Sequence, residues 1–263
     1  MRVSVAQFCP MLLSLDTNLA KMETMCHGLD TDLIVFPELA TCGYLFSSIE
    51  DAFSVAERMP EAKSYQMFSR IAMQQNTSIV YGFAELDKDK VYNSAALINP
   101  DGSYYVYRKI HLFDREKLFF SPGDIPFAVH EAKDRVKIGM MICFDWQFPE
   151  AARSLALAGA QIICHPTNLV LPWCQAAMKV RSLENRVYSI TSNRTGNERN
   201  NEAEVSFTGC SQILSTIGDE LAKLNATEEG IATVEIDANA AQNKRVTDRN
   251  NAFTDRRPEL YRL

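Results

Sequence analysis

Residues 138–160 read IGMMICFDWQFPEAARSLALAGA. An apolar run climbs to Cys143, breaks at Phe144-Asp145 and restarts as a helical pattern with Pro149 at its first turn, where a missing N–H costs nothing. The next run, QIICHPT, is again a strand. Strand, helix, strand is the unit of an α/β fold, and here its first turn carries a thiol.

The same texture extends in both directions. MRVSVAQF reads as a strand, after which Asp16 is expected to cap a helix with Leu19, Met22, Cys26 and Leu29 on one face. DLIVFPEL is apolar at nearly every position, as an interior strand covered on both faces should be, and ends at Pro37-Glu38. A helix over SYQMFSRIAMQQN leads to the strand SIVYGFAEL. VYNSAALI, the turn NPDG and YYVYRKIHLF read as an antiparallel hairpin, so the sheet is mixed. Downstream, VKIGMMIC is a strand, QAAMKVRSLENRV a helix, and YSITSNR, GCSQILST and GIATVEI are strands. No linker, repeat or low-complexity run divides residues 1–263, which read as one α/β domain. Periodicity leaves open whether it holds one sheet or two.

Composition limits the function. With 46% hydrophobic residues the chain can bury a large core, and 27 basic against 33 acidic residues give a net charge of −6. That balance, with no basic patch, argues against nucleic-acid and anionic-membrane partners. No signal peptide or spanning window is visible, so a cytoplasmic location is expected. Seven cysteines, an odd number lying mostly in apolar runs, read as free thiols. No CxxC occurs and the four histidines are not spaced for zinc, so no metal is expected. The Gly-rich dinucleotide and P-loop signatures, G-x-S-x-G and H-E-x-x-H are all missing.

Three strand ends carry reactive groups, and strand ends are where separate segments of an α/β fold converge on a crevice. An arbitrary cysteine is usually a small core residue, but Cys143 sits at a strand-to-helix elbow, where the helix N-terminus is expected to favour thiolate. Glu38, at the end of an apolar strand, is costly to desolvate unless paired, and Lys109 in YRKIHLF supplies a cation. Of the histidines, His27 and His130 read as solvated or structural. His165 follows a strand and could line a pocket, and His111 shares the face of Lys109.

Taken together, VFPELATCGY, YRKIHLFDREKLFFSPGD and MMICFDWQFPEAARSLALAGA closely resemble the nitrilase superfamily of carbon–nitrogen hydrolases. CHPTN, ENRVYSITSNRTG, FTGCSQI and the tail DRRPELY continue the match along nearly the whole chain. The resemblance implies a four-layer α-β-β-α sandwich with two mixed sheets, assembled as a homodimer, and needing no cofactor. It implies Glu38 as general base, Lys109 as transition-state cation, Cys143 as nucleophile and Glu116 as a second, orienting glutamate, with the backbone N–H of Phe144 facing the oxyanion. Tyr44, His165 and Asn168 fall in blocks that border the pocket in relatives. The implied substrate is a small amide, with nitrile and carbamoyl-amine hydrolysis as alternatives and a non-catalytic scaffold as the rival outside enzymology. Many small amidases of the family read Asp-Leu-Arg-Phe-Pro-Glu after the nucleophile, whereas residues 145–150 read DWQFPE and lack the arginine. The tryptophan is more like carbamoyl-polyamine amidases and some archaeal nitrilase-like proteins.

Overall fold

The apolar runs pair into two six-stranded sheets in the computed structural model, which describes residues 1–201 and 203–261. In chain order the first half holds β1 (Arg2–Gln7), α1 (Leu15–Cys26), β2 (Leu33–Val35), α2 (Ile49–Val55), α3 (Lys63–Gln75), β3 (Ser78–Asp87), β4 (Lys90–Ile98), β5 (Tyr104–Arg108) and α4 (Glu116–Phe119). The second half holds β6 (Val129–Glu131), β7 (Lys137–Met140), α5 (Pro149–Leu157), β8 (Ile162–Thr167), α6 (Cys174–Asn185) and β9 (Tyr188–Asn193). It ends with β10 (Asn197–Asn200), β11 (Ala203–Ser206), β12 (Gln212–Leu214), β13 (Glu220–Lys223) and β14 (Gly230–Glu235).

The first sheet runs β14-β1-β2-β3-β4-β5 and the second β13-β12-β9-β8-β7-β6, while β10 and β11 form a separate ribbon. Each sheet has a parallel centre, β1-β2-β3 and β7-β8-β9, flanked by antiparallel strands. The NPDG turn closes the β4–β5 hairpin, with Ile98 opposite Tyr104.

Residue parity decides the layers. Val3, Val5, Leu33, Val35 and Val80 join Ile138, Met140, Ile162 and Ile190 in a core between the sheets. Their alternates Ala6, Ile34, Ile79 and Tyr81 pack on Leu19, Met22, Phe68 and Ile71 of α1 and α3. Helices α5 and α6 cover the outer face of the second sheet. The layers are therefore helix, sheet, sheet, helix, resolving the choice that periodicity left open.

Two details differ from the sequence reading. Helix α1 starts at Leu15 behind Ser14, and Asp16 lies in its first turn, where it pairs with Lys63 rather than capping. Strand β7 ends at Met140, short of the expected Cys143, because the chain curls into a 3-10 turn over Cys143–Gln147.

Candidate active site

The turns beyond β2, β5 and β7 each hold a non-glycine residue in the left-handed region: Leu39 (φ 47°), Asp114 (φ 43°) and Cys143 (φ 39°). Such backbone conformations cost energy and persist where surrounding structure over-determines them. At Glu38 the constraint is visible. Gly82 N–H donates to Pro37 O at 3.0 Å, and a Cβ on Gly82 would lie 2.5 Å from both Glu38 Cα and Leu39 N. Only glycine on β3 lets the Glu38 turn settle this close.

Lys109 is the hub. Its Nζ donates to Glu38 Oε1 at 2.6 Å and to Glu116 Oε1 at 2.7 Å, and none of the three side chains is more than 3% exposed. Asn93 Nδ2 also donates to Glu38 Oε1 at 2.7 Å, while the Asn93 carbonyl accepts the Lys109 N–H at 2.8 Å. Glu38 Oε2 is left without a hydrogen-bond partner among the described residues. Glu116 is held further by the Tyr44 hydroxyl at 2.9 Å and by Phe113 N–H at 3.2 Å.

The electrostatics follow. Burial alone would favour neutral lysine, but Glu116 and Glu38 more than reverse it and hold Lys109 well above its ordinary range. Burial pushes the Glu116 carboxyl up to about 7; Glu38 adds to this and Lys109 opposes it. Two buried carboxylates and one cation thus form a cluster poised to hold a further proton.

Cys143 corrects one expectation. Helix α5 begins only at Pro149, six residues past the thiol, with the short 3-10 turn of Cys143–Gln147 between them. Burial and the charge of Glu38 push the thiol well above its ordinary value, with Lys109 and the Asn168 N–H opposing. The thiol is protonated at rest and needs a base. Behind it, His165 Nε2 lies 3.0 Å from the Cys143 carbonyl and Nδ1 3.3 Å from Thr191 Oγ1. The carbonyl can only accept, so Nε2 carries the proton and Nδ1 accepts from Thr191. Burial lowers the His165 pKa to about 4, leaving a neutral ring that braces the Cys143 turn.

A cavity of about 70 Å³ opens on Cys143, walled by Phe113, Phe144, Trp146, Leu169, Val170, Leu171 and Trp173, with Gln147 and Asn168 as its polar members. Among the described residues no charged one lines it. Asn168 is 2% exposed, yet neither polar atom of its side chain has a partner among the described residues. Beside it, sharing Phe113 and Val170, a cavity of about 440 Å³ is lined by Tyr44, Asp114, Arg115, Glu116 and Glu204 among others. The structure thus brings Glu38, Lys109, Glu116 and Tyr44 into one bonded cluster whose charges reach Cys143, sets Phe144 and Asn168 around the small cavity, and places His165 behind Cys143. Among the described residues no group of His, Cys, Asp and Glu is arranged to hold a metal ion, and no helix is long and apolar enough to cross a membrane.

The family model for carbon-nitrogen hydrolase matches residues 2–246. The chain belongs to this family, within the nitrilase superfamily. A nitrilase of Pyrococcus abyssi is 43% identical over 263 residues, covering 99% of this chain and 98% of its own. An N-carbamoylputrescine amidase of Arabidopsis thaliana is 31% identical over 274 residues, covering 95% and 90%. The crystal structure of a carbon-nitrogen hydrolase from Helicobacter pylori G27 superposes with a TM-score of 0.82 at 25% identity, covering 92% and 91%. This carbon-nitrogen hydrolase accordingly acts on C–N bonds other than peptide bonds.

Sequence reasoning missed two members of the carbon-nitrogen hydrolase site. Asn93 is one polar residue in an otherwise strand-like run and carries no local signal of its hold on Glu38 and Lys109. Asp145 is fully buried and accepts from Tyr107 OH (2.7 Å), Ile142 N–H (2.8 Å) and His111, whose Nδ1 is 2.7 Å away. It ties the Cys143 turn to the opposite sheet. A carboxylate two residues past the thiol was the available clue.

Proposed function

We propose that this enzyme is an amidase of small, uncharged amides working through a cysteine thioester. The observation that carries the reading is the division of labour on Glu38: Oε1 is held by Lys109 and Asn93, Oε2 has no partner among the described residues, and the charge of this carboxylate acts on a thiol kept neutral. Oε2 takes the thiol proton as Cys143 attacks the amide carbon. Lys109 and the Phe144 N–H meet the charge developing on oxygen, and Glu116 holds Lys109 in place. Glu38 returns the proton to the leaving nitrogen, releasing ammonia and a thioester. It then activates water, which cleaves the thioester to the acid and restores the thiol. Net, RCONH₂ and water give RCOOH and ammonia.

Asn168 supports the amide reading, because a buried carboxamide with a free donor and a free acceptor complements another carboxamide. The uncharged lining of the small cavity favours a neutral acyl group, since an unpaired charge there would be costly. Its Gln147 stands where similar amidases carry arginine.

The test is release of ammonia from propionamide, propionitrile and N-carbamoylputrescine, with carbon dioxide measured for the last. The amide should be the best substrate, and Cys143→Ala should abolish turnover while the fold persists. Exclusive turnover of the nitrile or of the carbamoyl amine would replace the amidase reading with one named for a relative. Wild-type ammonia release by Cys143→Ala would remove the thioester mechanism.

A further inference from the structure

Arg194 is the largest fully buried side chain among the described residues, and it takes no part in the hydrolytic steps above. It follows β9, and its Nη1 donates to Glu198 Oε1 on β10 at 2.7 Å, where Glu198 is also buried. Nη2 donates to Pro10 O at 3.2 Å, and the guanidinium lies 3.9 Å from the centre of the Phe207 ring. The second carboxylate oxygen of Glu198 turns the other way. It accepts the N–H groups of Tyr44 and Leu45 at 2.9 and 2.6 Å. Phe207 meets the Tyr44 ring edge-on, with centroids 5.9 Å apart. From this seat the Tyr44 hydroxyl reaches Glu116 Oε1.

The sequence makes room for the arrangement. Gly43 has φ 80°, and a Cβ there would lie 2.7 Å from Glu198 Oε1 and 2.8 Å from Leu12 Cα. The glycine of TCGY is what lets the carboxylate approach the backbone of the next two residues. Energetics points the same way. Withdrawing an arginine and a glutamate from water costs several kcal/mol per ion, and well-packed apolar residues often stabilise as much. Such a pair is a poor choice for holding a fold and a good one for fixing a direction.

We propose that Glu198, anchored by Arg194, is a positioning residue for the hydrolysis: it locks residues 44–45 so that the Tyr44 hydroxyl holds Glu116, and Glu116 in turn holds Lys109. The inference rests on the amidase reading for Lys109 and Glu116, but goes beyond it by giving Tyr44 an orienting rather than a substrate-binding part. The working end of the first sheet is thereby clamped by a segment that leaves β9 of the second.

The test is a double-mutant cycle on ammonia release from propionamide, with Tyr44→Phe, Glu198→Ala and the two combined, paired with a crystal structure of Glu198→Ala. Displacing the Tyr44 hydroxyl should lower kcat by about 10- to 100-fold, as misplacement near 1 Å does elsewhere. KM should change much less, because the lost interaction acts in the transition state. The double variant should be no slower than Tyr44→Phe alone, since Glu198 acts through Tyr44. In the variant structure the hydroxyl should lie beyond about 3.5 Å from Glu116. Should Glu198→Ala not fold, Glu198→Gln keeps an acceptor for the Tyr44 or Leu45 N–H while losing the negative charge that faces Arg194, and it should show a smaller loss of the same kind. Multiplicative losses in the double variant, or loss of thermal stability with kcat intact, would overturn the proposal. A wild-type enzyme silent on propionamide would instead remove the amidase reading, and the position of Tyr44 in the variant structure would then decide this proposal by itself.

Discussion

Replacing Lys109 by methionine keeps most of the stem and removes the ammonium that Glu38 and Glu116 share. In the wild-type protein that ammonium makes contacts of 2.6 and 2.7 Å to two buried carboxylates. Removing one partner of a buried ion pair costs about 3–5 kcal/mol, because the remaining charge is stranded. For a chain of this size that corresponds to a fall in Tm of about 6–20 °C. The loss must depend on pH. Burial already lifts Glu116 to about 7 against the lysine, from an ordinary value of 4.5. Without Lys109, burial and the repulsion of Glu38 are opposed at Glu116 only by neutral donors such as the Phe113 N–H, so its folded-state pKa rises further. A group whose pKa is raised by folding contributes stability fully below its unfolded value and loses it as pH rises through the folded one. The Tm gap between variant and wild type should therefore be small near pH 5 and widen steadily to pH 8. Thermal unfolding followed by circular dichroism reads the gap directly, and ammonia release should fall about 100-fold or more. An equal Tm drop at both pH values would show that the carboxylates are not stranded and would refute the cluster as described.

Gly82→Ala forces a Cβ against immobile backbone of Pro37, Glu38 and Leu39 and should cost about 1–3 kcal/mol in urea unfolding with at least tenfold lower kcat. Gly230→Ala, whose Cβ would meet its nearest neighbour at 4.0 Å, is the silent control. Asn168→Leu removes two unpaired buried polar atoms, so calorimetry should show stability unchanged or raised by about 1 kcal/mol while kcat/KM falls about tenfold. Asp145→Asn leaves one of its donors facing an amide N–H and should cost about 1–3 kcal/mol, with a parallel loss of turnover as the Cys143 turn loosens.

Much of the fold was legible because periodicity and turn chemistry agree with the layers. Leu33, Ile34 and Val35 are all apolar because the first and third face the other sheet while the second faces α1 and α3. NPDG closes a hairpin where Pro and Gly predict one. Less legible were short elements whose order comes from tertiary contacts, such as the seven-residue α2 and the β10–β11 ribbon. Glu38, Lys109 and Cys143 were readable as reactive groups at strand ends, and Glu116 through the resemblance. The sign of the Cys143 shift was not, since it depends on how deeply the turn is buried and on where α5 begins. Neither Asn93 nor Glu198 could be found locally. Asn93 reaches Glu38 only through the pairing of β3 with β4, and Glu198 meets Tyr44 across 154 positions of chain.

The thiol hangs from the second sheet, whereas the carboxylates and the ammonium hang from the first. The gap between sulfur and base is therefore gauged by the thickness of the hydrophobic filling, like jaws of a vice set by a spacer. A methylene gained or lost at Val35 or Ile162, in the heart of that filling, would open or narrow the jaws without touching any reacting atom. In this architecture the aliphatic interior is part of the chemistry's ruler, and tuning of the rate across temperatures can be sought there as well as among the polar groups.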